Sequence, residues 1–391
     1  MAPALVRPGI DVLLERGLGD LRGAALALWT GASGVTANLI PTITALQDCP
    51  EARVVALFGA EHGLRGEAAA GEHVDSAVDP VTGLPVYSLY GRLREPTDEM
   101  LAGIEAILVD IHDVGLRYYT YPATLHALLR AAARQGVAVV VLDRPNPLTG
   151  TMMEGPITKA AFRSFVSTPF TPIRHGLTLG ELARWMNTHE ELGADLRVVP
   201  ARGWRRCMWF DATGLPWVPP SPNIPNPETC LAYTATCLIE GTTVSEGRGT
   251  AQPFNLIGAP WVDGTALADR LNGRDLPGVY FRATWFRPTA SKHAGVTCGG
   301  VQLHILDRDA FAGVPIGLHL LAELCALYPE QVHWVRGESG AYFVDLLLGS
   351  DEWRQAIDRG ESVERMIAAW GSGLKTFADE RQAVLLYPET Q

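Results

Sequence analysis

The first half of this sequence alternates short apolar, strand-like runs with helix-like segments, and this alternation limits the possible folds more than any other feature. It is typical of a parallel sheet whose strands are joined by crossover helices. The pattern predicts helices at 96–104, at 121–135 and after the capping box formed by Thr178 and Glu181. It predicts strands at residues 24–30, 53–59, 85–90, 106–111, 137–143 and 196–200. The predicted fold class is therefore α/β, with a Rossmann-like parallel sheet.

A proline-rich segment divides the chain. Residues 216–227 contain six prolines, too many for a helix or a strand. Because single cores rarely grow beyond about 250 to 300 residues, a chain of 391 residues is expected to form two domains. We predict a Rossmann-like catalytic domain over 1–226 and a smaller α+β domain over 227–391 that completes a cleft. The second part has strand-like runs at 279–286 and 301–306 and a helical run at 316–328.

Charge and hydropathy exclude several classes of protein. The formal net charge is −11, which argues against a nucleic-acid-binding protein because such proteins present a basic face. No apolar run approaches the ~20 residues of a membrane-spanning helix. The first residues contain no apolar stretch suited to a signal peptide, so a cytoplasmic location is expected unless a leader was removed.

Polar residues follow the predicted strands, at the sheet edge where ligands bind in open parallel sheets. They are Glu61, His62 and Arg65 after the second strand, Asp110 at the end of the fourth, and Arg144 and Asn146 after the fifth. The nearby residues His112, Asp113 and Asp143 add further hydrogen-bonding groups. The convergence of these groups on one edge predicts a binding or catalytic site there.

Several chemistries lack their sequence signature. The first strand is followed by TGASGVT rather than GxGxxG, and no GxSxG motif marks a serine nucleophile. His62, Asp110, His112 and Asp113 are suitable metal ligands by type, but their spacing matches no metal motif. No cofactor and no metal are therefore expected.

Paired carboxylates remain as the favoured chemistry. One acid protonates a leaving oxygen, while a second carboxylate stabilises or attacks a sugar cation or activates water. Glu61 and Asp110 form the natural pair if their strands are neighbours, since neighbouring strands lie about 4.8 Å apart. A glycine-rich loop, EGTTVSEGRGT, offers Glu240, Glu246 and Arg248 as a cover over the same edge, and the loop TASKHAG offers Lys292 and His293.

Long motifs over nearly the whole chain, among them EHGLRG, DIHDVGLRYYTY, LDRPNP, RHGLTLGELA, PPSPNIP, EGTTVSEGRGT and SKHAG, resemble those of the NamZ-type exo-β-N-acetylmuramidases. The resemblance implies a Rossmann-like domain, a smaller second domain and a cleft between them. It implies release of N-acetylmuramic acid from the non-reducing end of peptidoglycan fragments. Glu61 matches the glutamate of the family's EHG motif, the proposed catalytic acid, with His62 beside it. The second carboxylate stays open between Asp110, Glu240 and Glu246.

Muramic acid carries a lactyl carboxylate, so a selective enzyme is expected to place an arginine in the cleft. Arg65, Arg144 and Arg248 lie in the edge motifs, with Lys292 and His293 as the next candidates. Tyr118 or Tyr119 is expected to face the sugar ring, and Asn146 and Asn223 to bind its hydroxyls. The expected partner is a muramyl sugar or peptidoglycan fragment. Two alternatives stay open, a non-catalytic muramyl-sugar-binding protein and a metal-dependent hydrolase.

Overall fold

The computed structural model describes residues 6–66, 77–91, 93–337 and 339–388. Its strands are β1 (Ala25–Thr30), β2 (Arg53–Gly59), β3 (Ala77–Val78), β4 (Pro85–Ser88), β5 (Ala106–Asp110), β6 (Ala138–Leu142), β7 (Leu196–Val199), β8 (Leu256–Ala259), β9 (Val279–Phe286) and β10 (Cys298–Ile305). Its α-helices are α1 (Gly9–Arg16), α2 (Thr42–Gln47), α3 (Asp98–Leu101), α4 (Thr120–Gln135), α5 (Leu179–His189), α6 (Pro227–Thr236), α7 (Gly264–Asn272), α8 (Gly313–Leu327), α9 (Phe343–Leu348), α10 (Glu352–Asp358), α11 (Val363–Ala368) and α12 (Gly371–Glu380).

The first domain is built on a seven-stranded sheet with the order β3-β4-β2-β1-β5-β6-β7. Every pairing in this sheet is parallel except that of β3 with β4. The chain places β2 and β4 on one side of β1 and then returns to place β5, β6 and β7 on the other. This is the strand order of a Rossmann-like sheet, with its switch point between β1 and β5.

Alternate residues of each strand face the two sides of the sheet, because successive side chains in a strand point in opposite directions. In β1, Leu26 and Leu28 join a core layer that also holds Ile10 and Leu13 of α1. Trp29 of the same strand joins the other layer with residues of α4 and α5. Both faces are therefore apolar and covered, as a parallel sheet requires.

The second domain contains a three-stranded antiparallel sheet in the order β8-β10-β9. Helices α6 and α7 pack on this sheet and α8 packs against both of them, and the apolar residues of all three helices belong to the same core layer as Trp29. The chain returns to the first domain at Tyr387, whose hydroxyl donates a hydrogen bond to Asp143 over 2.6 Å. None of the helices in the described part of the chain is both long and apolar enough to span a membrane.

The predicted α/β fold class is confirmed, with a Rossmann-like parallel sheet followed by a smaller domain of helices and a small sheet. Each strand predicted for the first half is present within one or two residues at either end. Thr178 accepts a hydrogen bond from the Glu181 amide and Glu181 reaches back to Thr178, so the predicted capping box forms at the start of α5. The division at residue 226 stays a prediction.

Candidate active site

The local turn after β2 brings Glu61 to the carboxyl end of the sheet. Glu61 follows this strand by two residues, and its side chain is 92% buried. Thr120, the first residue of α4, donates a hydrogen bond from its hydroxyl to Glu61 Oε2 over 2.7 Å. The carboxyl group is thus held at the N-terminus of a 16-residue helix, where the backbone amides produce a positive potential.

A cavity of about 690 Å³ lies between the two domains and contains Glu61. From the first domain it is lined by His62, Tyr90, Tyr118, Tyr119 and Thr120, and from the connector by Ser221 and Asn223. From the second domain it is lined by Tyr233, Glu240, Glu246, Arg248, Phe254, Lys292, Phe343 and Leu347. Two other cavities, of about 640 and 660 Å³, lie elsewhere on the described surface, and neither contains any of the predicted site residues. We therefore place the candidate active site between the domains.

Four charged residues form one network on the second-domain wall. Arg248 donates from Nη2 to Glu240 Oε1 over 2.6 Å, and its Nε lies 3.4 Å from Glu246 Oε1. Lys292 donates from Nζ to Glu246 Oε2 over 3.0 Å. Although burial opposes the charged guanidinium, the carboxylates of Glu240 and Glu246 raise the pKa of Arg248, so it remains a cation. The network balances two carboxylates with two cations.

Close contact between two loops positions this network. Gly249 has φ +76°, and a Cβ at this position would lie 2.4 Å from the backbone nitrogen of Ala290. Only glycine permits such an approach at this backbone conformation. The loop that carries Arg248 can therefore lie directly against the β9–β10 loop that carries Lys292.

Of the twelve predicted site residues, seven line the cavity: Glu61, His62, Tyr118, Tyr119, Asn223, Glu246 and Arg248. The Tyr118 hydroxyl donates to the backbone oxygens of Tyr233 and Thr234, at 2.9 and 3.0 Å, so its ring is fixed between the two domains. Asn223 is half-buried, and its side-chain amide makes no hydrogen bond to another described residue. That amide is available to a ligand.

Asp110 does not line the cavity. Its side chain is fully buried, Arg144 Nε donates to its Oδ1 over 2.6 Å, and the Thr42 hydroxyl donates to its Oδ2. The expectation that its strand neighbours the strand of Glu61 is wrong, because β1 lies between β2 and β5. Two strand spacings separate the strand ends by roughly 10 Å. Asp110 and Arg144 thus form an ion pair with each other, and neither lines the cavity.

Three further predicted residues also lie outside the cavity. Arg65 is half-exposed and pairs with Asp79 at 2.6 Å. Asn146 donates from Nδ2 to the Leu177 oxygen over 2.9 Å and accepts from the Leu148 amide over 2.8 Å, so it shapes a turn. His293 Nε2 lies 2.9 Å from the Thr243 oxygen. All three side chains bind other parts of the protein, and none of them lines the cavity.

The protein itself fills the switch point between β1 and β5, where Rossmann-like proteins usually bind their ligand. Thr30 donates from its hydroxyl to the Asp110 oxygen over 2.8 Å. A Cβ at Gly34 would lie 2.6 Å from that same oxygen, so the loop after β1 rests directly on the end of β5. The cavity is instead displaced toward the ends of β2 and β4. The sequence predicts a site along the whole sheet edge, because the local motifs after each strand do not encode this displacement.

The residues considered as metal ligands do not come together. His112 packs against the rings of Phe210 and Trp217, with centroid distances of 5.3 and 5.2 Å, and burial lowers its pKa to about 3. Within residues 6–66, 77–91, 93–337 and 339–388 there is no group of three or more histidine, cysteine, aspartate or glutamate side chains that could hold a metal ion.

Several residues that line the cavity were not predicted from the sequence. Thr120 could have been predicted, because it immediately precedes the helix predicted from Tyr121, and the N-terminus of a helix favours a bound anion. No sequence feature marked Tyr233, Phe343 and Leu347, since they lie in apolar helical runs that are typical of residues in a hydrophobic core. They reach the cavity only because the second domain folds against the first.

The chain matches the sequence models of one protein family over most of its length. The sequence model described as "Exo-beta-N-acetylmuramidase NamZ, N-terminal" matches residues 26–228, and the corresponding C-terminal model matches residues 231–387. The chain is 45% identical over 382 residues to the peptidoglycan β-N-acetylmuramidase NamZ of Bacillus subtilis (strain 168), covering 98% of this chain and 91% of that protein.

Two crystal structures of DUF1343 family proteins from Bacteroides fragilis NCTC 9343 share the fold. The first has a TM-score of 0.91 at 37% identity and the second a TM-score of 0.79 at 28% identity. In both cases the match covers 98% of this chain and 99% of the other. These matches confirm the resemblance drawn from the motifs, and the chain belongs to the NamZ family of exo-β-N-acetylmuramidases.

Proposed function

We propose that this chain is an exo-acting glycoside hydrolase that releases N-acetylmuramic acid from the non-reducing end of peptidoglycan fragments. Membership of the family and 45% identity to a peptidoglycan β-N-acetylmuramidase support this activity. The observation that carries the proposal is the meeting of carboxylates from both domains, Glu61 with Glu240 and Glu246, in one cavity. Such a set of carboxylates is what glycoside hydrolysis requires.

Glu61 is proposed as the general acid. The Thr120 hydroxyl orients its carboxyl group through the 2.7 Å hydrogen bond, so one oxygen is fixed. In this role Glu61 transfers a proton to the glycosidic oxygen as the bond to the sugar carbon breaks. His62 lies beside it and lines the same cavity. A carboxylate of the second domain then stabilises the positive charge that develops on the sugar ring.

Arg248 is proposed to recognise the lactyl carboxylate. Of the three predicted arginines only Arg248 lines the cavity, because Arg144 is paired with Asp110 and Arg65 with Asp79. Its Nε and Nη2 face glutamates, while Nη1 makes no hydrogen bond to a described residue. Nη1 therefore retains its donors for a ligand carboxylate, in the charge-assisted geometry that guanidinium groups favour.

The test compares chromogenic glycosides of N-acetylmuramic acid and N-acetylglucosamine, each with and without a chelator. The proposal predicts turnover of the muramic acid glycoside that chelation leaves unchanged. A folded protein that binds this glycoside without turnover would be a binding protein instead. Loss of activity on chelation, restored by one divalent ion, would indicate a metal-dependent hydrolase.

The same pair of substrates tests Arg248. The ratio of kcat/KM for the muramic acid glycoside to that for the glucosamine glycoside isolates recognition of the lactyl group, because both substrates undergo the same bond cleavage. Loss of a charge-assisted hydrogen bond costs about 1.5 to 3 kcal/mol, so Arg248→Ala should lower this ratio roughly 10- to 150-fold. Arg65→Ala is the matched control and should preserve the ratio. A preserved ratio in Arg248→Ala would assign the lactyl carboxylate to another group.

A further inference from the structure

We infer that Glu240 is the second carboxylate of the reaction, and that Glu246 and Lys292 are positioning residues that hold it in place. This inference rests on the proposed function, because it assigns a role within the same cavity. Sequence reasoning left Asp110, Glu240 and Glu246 as alternatives. The contacts of the three side chains distinguish them.

Glu246 has both carboxylate oxygens engaged. Lys292 Nζ donates to Oε2 over 3.0 Å, and Arg248 Nε lies 3.4 Å from Oε1. Only 2% of the Glu246 side chain is exposed, although the residue lines the cavity wall. A carboxylate held by a cation at each oxygen and almost without exposure is poorly placed to reach a sugar carbon or a water molecule, so Glu246 is better suited to support than to reaction.

Glu240 has one oxygen engaged and one open. Arg248 Nη2 donates to Oε1 over 2.6 Å, while Oε2 makes no hydrogen bond to a residue that the structure describes. The side chain is 18% exposed and lines the cavity that contains Glu61. Arg248 thus orients the carboxylate through one oxygen and leaves the other directed to a ligand.

Lys292 is saturated by protein acceptors. Its ammonium group has three N–H bonds, and four acceptors surround it: the backbone oxygens of Ile239, Glu240 and Val244 at 3.1, 3.3 and 3.0 Å, and Glu246 Oε2 at 3.0 Å. Lys292 therefore has no donor left for a substrate carboxylate. Its contacts fix the backbone of Glu240 and the side chain of Glu246, which is the arrangement expected of a positioning residue.

The chemistry assigned to Glu240 can be written with balanced atoms. Glu61 gives its proton to the glycosidic oxygen, the bond from that oxygen to the sugar carbon breaks, and the aglycone leaves as an alcohol. If Glu240 Oε2 bonds to the sugar carbon, water later cleaves this ester and returns a proton to Glu61. If Oε2 instead accepts a proton from water, the resulting hydroxide bonds to the sugar carbon directly.

Azide rescue tests the assignment. We expect Glu240→Ala to lose at least ~10²-fold in kcat on the chromogenic muramic acid glycoside. Azide should restore activity, because a small anion can occupy the space of the lost carboxylate and bond to the sugar carbon from that face, which gives a glycosyl azide of inverted configuration. The anomeric configuration of the N-acetylmuramic acid first released by the wild-type protein reports which of the two steps operates. Glu246→Ala is the matched control, since it removes a neighbouring carboxylate that also contacts Arg248, and its activity should exceed that of Glu240→Ala at least tenfold.

The opposite pattern, with azide rescue of Glu246→Ala and near-normal kcat in folded Glu240→Ala, would overturn the assignment. Circular dichroism and melting temperature establish that each variant is folded. A wild-type protein that leaves the muramic acid glycoside intact would instead refute the proposed function, so the two failures are distinguishable.

A pH profile tests the positioning roles. The charged groups that face Glu240 are Arg248, Glu246 and Lys292, and the neutral titratable groups around it are Tyr118, Tyr233 and Cys237. Burial, together with the negative charge of Glu246, raises the pKa of the Glu240 carboxyl, and the Arg248 and Lys292 cations oppose this rise.

If ionised Glu240 is required, activity falls as the pH drops through its pKa. Lys292→Met removes an opposing cation, so the acid limb of kcat/KM should move to higher pH. Glu246→Gln removes a like charge, so that limb should move to lower pH. Lys159→Met, an exposed residue paired with Glu352, is the control and should leave the profile unchanged. If the acid limb of kcat/KM in both Lys292→Met and Glu246→Gln coincides with that of the wild type, the positioning roles of Lys292 and Glu246 would be overturned.

Discussion

At the scale of single residues, the carboxylates of Glu61 and Asp110 have different surroundings although both lie at the carboxyl ends of strands. Both follow apolar strands, and both were expected at the same sheet edge. Glu61 lines the cavity, whereas both carboxylate oxygens of Asp110 accept hydrogen bonds from Arg144 and Thr42. The difference depends on which strands are neighbours, and strand order is a property of the folded sheet that local sequence does not encode. The sequence did predict that the loop with Glu240, Glu246 and Arg248 contributes to the site, because its glycines allow the backbone to lie close to a neighbouring segment.

Replacement of Glu61 by glutamine should abolish most turnover while leaving the fold intact. The amide has nearly the same shape but cannot donate the proton that the leaving oxygen needs. General acid catalysis contributes about 10² to 10⁴-fold, so kcat on an unactivated disaccharide should fall by this factor. Glu105→Gln, an exposed control, should retain wild-type kcat. Retention of more than half of the activity in Glu61→Gln would exclude Glu61 as the acid.

Asp110→Asn should act on stability rather than on chemistry. The change leaves the Arg144 guanidinium, which is only 7% exposed, without its carboxylate. Breaking a buried ion pair typically costs ~3 to 5 kcal/mol, so the melting temperature should fall clearly. Measured at a temperature where the variant is folded, kcat should stay within about twofold of wild type. A large loss of kcat at an unchanged melting temperature would restore Asp110 as a catalytic candidate.

At the scale of elements, the strands and the long helices were predictable because their apolar periodicity and capping signals are local. The helix predicted at 121–135 begins one residue earlier, at Thr120, and ends before Gly136, whose φ is +65°. The helix predicted at 96–104 is only the short α3 (Asp98–Leu101). Strand β3 (Ala77–Val78) was not predicted, because a two-residue edge strand depends on its partner β4 rather than on its own sequence.

The loop between β5 and α4 contains a buried acid that should make stability depend on pH. Asp113 accepts a hydrogen bond from the Gly115 amide over 2.7 Å, while its Oδ1 is buried without a partner among the described residues. Burial raises its pKa from 3.8 to about 7. Between these values the unfolded chain has lost the proton that the folded chain keeps, so this residue's contribution to stability falls as the pH rises.

Asp113→Asn removes this titration. The melting temperature of the variant relative to wild type should therefore rise from about pH 4 to about pH 8, as the wild-type carboxyl becomes ionised in its buried site. Differential scanning calorimetry of both proteins across this range measures the difference. A difference that stays constant would show that burial does not raise the pKa of Asp113, and one that falls with pH would show that its pKa is lowered in the folded protein.

At the scale of the whole molecule, the two domains share one apolar core. This core contains Trp29 and Phe58 of the first sheet together with Phe281 and Leu320 of the second domain. Arg117 Nη2 also donates to the Leu347 oxygen over 2.9 Å, which ties the first domain to α9. The sequence indicated two domains and a connector. It could not indicate which side chains meet across them, because those contacts are distant along the chain.

A shared core should make unfolding cooperative. We expect a single calorimetric transition, with the calorimetric enthalpy close to the van't Hoff enthalpy, because neither domain can unfold without exposing the apolar surface of the other. Two separate transitions, or a calorimetric enthalpy well above the van't Hoff value, would show instead that the domains unfold independently.

The cavity between the domains is proposed to remove N-acetylmuramic acid from non-reducing ends. The most direct measurement compares two β-1,4-linked disaccharides by mass spectrometry, one with N-acetylmuramic acid and the other with N-acetylglucosamine at the non-reducing end. We expect the wild-type protein to cleave the first, releasing free N-acetylmuramic acid, and to leave the second intact, and we expect Glu61→Gln to cleave the first at least ~10²-fold more slowly. Comparable cleavage of both disaccharides, or cleavage of the second alone, would contradict this proposal.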